Sequence, residues 1–164
     1  NIGSLFIGSN HFNGNNKFEP LSFSAEPGLA VGFLLPIKLP VIDAHYKVRA
    51  ATGKVIANRY HGKEEWNYIA ASNVLLVGKR LPLSEPRIRI LPQLGLGLIY
   101  ENIYDEWGTG YVYNLLFVDV STRFEYSFQN HQIGLMLNYE KGIATSVIDY
   151  HPMNRMIVSF IYTI

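Results

Sequence analysis

The stretch PRIRILPQLGLGLIYEN, Pro86 to Asn102, decides the fold class. Taken at every second residue it gives Ile88, Ile90, Pro92, Leu94, Leu96, Leu98 and Tyr100. The residues between are Arg87, Arg89, Leu91, Gln93, Gly95, Gly97, Ile99 and Glu101. Successive side chains of a strand point to opposite faces, so the pattern sets an oily face against a face of charges and glycines. The run is well beyond the common strand length of about five or six residues.

The same alternation recurs from end to end. Strands are predicted over Asn1 to Asn10, Leu21 to Ile37, Ile42 to Lys54, Trp66 to Lys79, Arg87 to Glu101, Tyr111 to Phe128, Ile133 to Glu140 and Met156 to Ile164. No stretch sustains apolar residues at i, i+3, i+4 and i+7, so the chain reads as all-β. Pro27 and Pro92 fall inside predicted strands, where each removes a ladder donor, and a local bulge is the expected accommodation. The connections alternate in sequence. HFNGNNKFEP, NRYHGKEEWN, IYDEWGTG and the stretch around SVIDYHP read as long; KLPV, RLPLSEP and QNHQ read as short. Short connections join antiparallel neighbours, which gives an up-and-down order with the long loops at one end and both termini at the other.

The 164 residues show no break in composition and read as one domain, residues 1–164. A net charge of +1 with no basic run argues against a nucleic-acid footprint. Charged residues are 16% of the chain, against about 25% in ordinary soluble domains. Aromatics are abundant, with 11 Tyr and 9 Phe. No window reaches the roughly 18 uninterrupted apolar residues of a spanning helix, and the N-terminus lacks the zones of a signal peptide, so an exported protein would be read here in its mature form. The absence of cysteine excludes disulfides and thiolate metal sites.

Two architectures share this pattern and differ in polarity. A soluble lipocalin-like carrier turns its oily face inward around a ligand, whereas a transmembrane barrel turns it outward to lipid. Strand length favours the second. So do small residues on the polar face, Gly28, Ala30, Gly32, Gly95, Gly97 and Gly134, which suit a crowded lumen. Aromatic residues near the ends of the oily stripes, such as Phe23, Phe33, Tyr100, Tyr126, Phe128, Tyr139 and Tyr162, fit the two bilayer interfaces. The expected fold is an eight-stranded antiparallel up-and-down transmembrane β-barrel.

With its eight alternating stripes, its loop rhythm and the terminal strand MIVSFIYTI, the chain resembles the small eight-stranded outer-membrane barrels, the group of the OmpA transmembrane domain, OmpX and the lipid A deacylase PagL. Those barrels commonly finish on Phe, whereas this chain finishes on Ile164. The resemblance implies a bacterial outer-membrane location with long loops extracellular and both termini periplasmic. It implies the lipid bilayer and lipopolysaccharide as surroundings, with other outer-membrane proteins as partners.

The expected lumen charge network is Glu26, Asp43, Glu101, Asp119, Glu125 and Glu140 against Lys47, Arg49, Arg87, Arg89 and Arg123, with His45 beside them. Near-balance of sign is what a mutually paired interior requires, and an eight-stranded barrel is just wide enough for side chains to fill. The loops carry Phe12, Phe18, Tyr60, Trp66, Tyr104, Trp107 and Tyr150, aromatic residues suited to a protein partner or to lipid headgroups. His11, His61 and His151 stand near loop acids, but their spacing specifies no metal, and no cofactor is implied.

A lipid-modifying enzyme of this fold would need an activated serine. The His-x-Ser pair of PagL is missing: His45 is followed by Tyr46 and Lys47, and His11 by Phe12 and Asn13. Ser9 and His11 are the nearest candidates, and no G-x-S-x-G elbow accompanies them. The sequence thus points to a non-enzymatic barrel with a plugged polar interior, a structural or interaction component of the cell envelope. Lipid A or phospholipid deacylation is the alternative.

Overall fold

The computed structural model describes residues 3–16, 22–25, 28–59, 62–108, 110–129, 131–145 and 150–163. The alternating sequence forms β1 (Ser4–Asn16), β2 (Ser22–Ala25), β3 (Gly28–Lys38), β4 (Asp43–Arg59), β5 (Gly62–Gly78), β6 (Ile88–Tyr104), β7 (Gly110–Phe128), β8 (His131–Thr145) and β9 (Tyr150–Thr163). All pairings are antiparallel, and β1 pairs with β9, so the sheet closes on itself. β2 and β3 share the same two neighbours, β1 and β4, and therefore nine segments make eight staves. The fold is an eight-stranded up-and-down barrel. Carried once round the ring, the pairing returns displaced by about ten residues along β1, a stagger that tilts the strands steeply to the axis.

The two prolines differ. Ala25 pairs with Val55 and Leu29 with Thr52, so β2 and β3 advance four positions where β4 advances three. An extra residue on one strand is the mark of a bulge; Pro27 itself lies outside the described residues. Around Pro92 no bulge forms. It pairs with Thr122 in unbroken register, one residue beyond Gly78↔Gln93, the last pair between β5 and β6. The ladder has a local edge there, which is where a strand tolerates proline.

Polarity runs as a membrane barrel requires. Leu94, Leu96, Leu98 and Tyr100 of β6 are exposed outside, while Leu91, Gln93, Ile99 and Glu101 are buried within. Leu5, Ile7, Phe33, Leu75, Val120, Leu137, Val158 and Phe160 continue the outer band round the staves. Such a predominantly apolar exterior, with buried charge inside, is the inverse of a soluble barrel. Near the end that carries both termini, His131 stacks on Tyr162 with ring centroids 5.7 Å apart, lies 5.6 Å from the ring of Phe128, and its Nδ1 shares a 2.8 Å hydrogen bond with the Tyr162 hydroxyl. These amphipathic rings suit the bilayer interface.

The expected contrast of long and short loops is not what the connections show. At the end remote from the termini, here the distal end, β4 and β5 pair as far as Arg59↔Gly62, and β6 and β7 as far as Tyr104↔Gly110. At the terminal end, by comparison, β5 and β6 are separated by residues 79–87. Among the described residues, parts of the polar stretches read as loops, such as Gly62 to Asn67, are strand extensions with inverted faces. Lys54, Glu65, Asn67 and Asn114 point outward there, and Val55, Ala57, Trp66, Tyr68, Ile103 and Tyr113 are buried inside.

Candidate functional site: a layered lumen

Close packing across the lumen depends on glycine, as two positions show. Gly32 sits opposite Phe6, and a Cβ on it would fall 2.5 Å from the Phe6 ring. A Cβ on Gly97 would fall 2.8 Å from the Phe117 ring. Each glycine leaves room for the aromatic side chain that faces it in the interior.

Three kinds of layer follow from the inward residues. At the distal end Trp66, Tyr111 and Tyr113 form a stack with successive centroid separations of 5.9 and 6.1 Å, and Trp66 Nε1 donates to Glu64 Oε2 at 3.0 Å. The middle is ionic. Arg49 grips Glu140 in a two-pronged contact, Nη1 to Oε1 at 2.6 Å and Nη2 to Oε2 at 2.8 Å. Lys47 reaches Glu140 Oε1 at 3.3 Å and also pairs with Asp119. Asn138 Nδ2 donates to both oxygens of Asp119, at 3.0 and 3.1 Å. Arg155 Nη2 donates to Glu101 Oε2 at 2.6 Å. All of these side chains are buried. Buried carboxylates held by bidentate or multiple cationic donors meet the condition under which interior charge is tolerable. Below them, toward the terminal end, Phe6, Leu34, Leu76, Met136 and Ile161 contribute apolar volume.

The terminal mouth is polar again. Arg123 pairs with Glu125, Arg80 Nη2 lies 2.9 Å from Asp43 Oδ1, and Gln93 Nε2 is 3.1 Å from His45 Nδ1. Seven residues of the expected charge network are thus buried in the interior: Lys47, Arg49, Glu101, Asp119, Arg123, Glu125 and Glu140. Asp43, His45 and Arg89 are partly exposed at the mouth. Arg87 departs from expectation, because it stands exposed in the turn before β6, where its backbone N–H donates to Glu85 Oε1 at 3.1 Å. Glu26 lies outside the described residues.

Arg155 was absent from the expected set. The eighth sequence stripe starts at Met156 on its oily face, and one residue before it Arg155 is in phase with Ile157, Ser159 and Ile161. Asn138, the uncharged partner of Asp119, and Gln93, the partner of His45, carry no charge that alternation could single out.

The aromatic set also divides. Trp66 is not a loop residue: it belongs to β5 and is 2% exposed, facing the interior stack. Tyr104 ends β6 and is half-buried. Trp107, in the connection to β7, is 83% exposed. Phe12 and Tyr150 lie in strands, with side chains outside the described residues, as are Phe18 and Tyr60 altogether. Ser9 is exposed on β1, and both Ser9 and His11 pair with β9, opposite Val158 and Met156.

No protein-family model matches the chain, and no curated protein does. Among solved structures, it is similar to Neisserial surface protein A at 11% identity and a TM-score of 0.67, over 99% of this chain and 96% of that one. It also aligns with Ail, the attachment invasion locus protein of Yersinia pestis (9% identity, TM-score 0.47, 98% and 96% covered). The β domain of the Bordetella autotransporter BrkA aligns as well (8%, 0.48, 100% of each). At this identity the likeness to the Neisserial protein is one of fold: the chain has the architecture of a small outer-membrane barrel.

Proposed function

We propose that the protein is an integral outer-membrane barrel of one domain, with its termini in the periplasm and its distal end outside the cell. In this reading the interior is plugged, and the protein serves as a structural or interaction component of the envelope. One observation carries the reading: a predominantly apolar exterior band around an interior that buries Lys47, Arg49, Arg155, Glu101, Asp119 and Glu140. Water on both sides would favour the reverse arrangement. The exposed indole of Trp107 at the distal end is the side chain best placed to meet a partner or headgroups.

The chain has no cysteine, so single cysteines report orientation cleanly. Glu106→Cys at the distal end is expected to react with a membrane-impermeant maleimide on intact cells, and Gln129→Cys only after the outer membrane is breached. The opposite pattern would refute the orientation, and labelling of both on intact cells would refute a sealed membrane position.

A further inference from the structure

The charges of the lumen are not evenly matched along its axis. In the middle, Lys47, Arg49 and Arg155 face Asp119, Glu140 and Glu101. At the terminal mouth a cavity of about 240 Å³ is lined by Lys38, Arg80, Arg89, Arg123 and His45, with Glu125 the acid among its lining residues. Glu125 is already engaged by Arg123 Nη2, and Arg80 by Asp43. Neither Arg89 nor Lys38 has an acidic partner among the described residues. Arg123 is the decisive group: it is 4% exposed, and its Nε and Nη1 have no hydrogen-bond partner.

Buried guanidinium donors left without an acceptor are costly, and the planar edge of a guanidinium matches two oxygens of one oxyanion. Gln132 also lines the cavity and supplies a further polar group, as do Ser4 and Thr163, whose hydroxyls are hydrogen-bonded to each other. Its volume suits one phosphate-sized anion with a few waters, at about 30 Å³ per water. We propose that the terminal mouth is a binding site for a phosphoryl oxyanion, held by the free donors of Arg123 and the charges of Arg89 and Lys38. The anion is either a soluble phosphate or the phosphate of a lipid headgroup.

The test uses the purified full chain in zwitterionic detergent, titrated with inorganic phosphate against chloride at matched ionic strength, with arginine Nε–H resonances as the readout. A saturable shift of Arg123 Nε–H by phosphate is expected. Arg89→Gln combined with Lys38→Gln should weaken it by about tenfold, the loss of roughly one charged hydrogen bond. These two side chains are at the mouth, so the variant should fold, and unchanged thermal unfolding checks that it has. A shift that follows ionic strength alike for both salts, or an unaltered affinity in the double variant, would overturn the site. Repeating the titration in bicelles separates the sources. If phosphatidylglycerol, unlike phosphatidylcholine, reproduces the shift and competes with phosphate, a headgroup is the ligand; saturation by phosphate without such competition assigns a soluble anion.

Discussion

Arg155 on β9 and Glu101 on β6 meet inside the barrel at 2.6 Å, from staves that are not neighbours. The pair ties opposite parts of the wall together, and neither side chain has access to water as an alternative. Removing one partner strands a buried charge. Glu101→Ala is expected to destabilise the barrel by about 3 to 5 kcal/mol, and the joint replacement Arg155→Met with Glu101→Met to recover most of that loss. Urea unfolding in lipid vesicles checks both; a mild single variant would indicate a hydrated lumen.

The outer band sets the second expectation. Leu96 is exposed near the middle of β6, and Leu96→Arg should cost about 2 to 4 kcal/mol by placing a cation in hydrocarbon. Arginine at Asn67, on the distal extension of β5, should be nearly neutral because that surface already faces water. Equal cost at the two positions, measured by the same unfolding assay, would contradict the boundary of the band.

Gly32 faces Phe6 across the β1–β3 pair, and a Cβ on it would fall 2.5 Å from the Phe6 ring and closer still to the Val48 carbonyl oxygen. Gly32→Val should therefore destabilise by about 1 to 3 kcal/mol through overpacking. Combining it with Phe6→Ala should restore part of the loss, and additivity in that double-mutant cycle would argue against the contact.

The two tryptophans of the chain, Trp66 and Trp107, occupy opposite environments. With Trp107→Phe, the remaining Trp66 should emit at short wavelength and resist an aqueous quencher. With Trp66→Phe, Trp107 should emit at long wavelength and quench readily. Similar quenching of both would place Trp66 outside the interior stack.

Trp66 also shows where the sequence could be read and where it could not. Alternation alone exposed the staves, their faces and most of the buried charges, because every strand in the band separates lipid from lumen. Beyond the band the strands continue, but their faces exchange polarity: at β4 the outward side passes from Val48 to Lys54 while Val55 turns inward. A stretch such as NRYHGKEEWN then looks like a polar loop, although its residues Gly62 to Asn67 are paired strand. The terminal mouth was partly legible. Arg89, Arg123 and His45 followed from phase, whereas Lys38 and Arg80 depend on where β3 and β5 end, which pattern alone leaves open.

The most direct test of the polarity on which everything rests is a spin-label scan along β6 in lipid bilayers, using single cysteines at Leu94, Leu96 and Leu98 and at the alternate positions Gln93 and Ile99. Labels at the first three are expected to collide with oxygen and to be shielded from a water-soluble nickel reagent, while the alternate two are shielded from both. Access of the nickel reagent to Leu94, Leu96 and Leu98 would mean that the apolar face does not lie in lipid, and the membrane barrel would be contradicted.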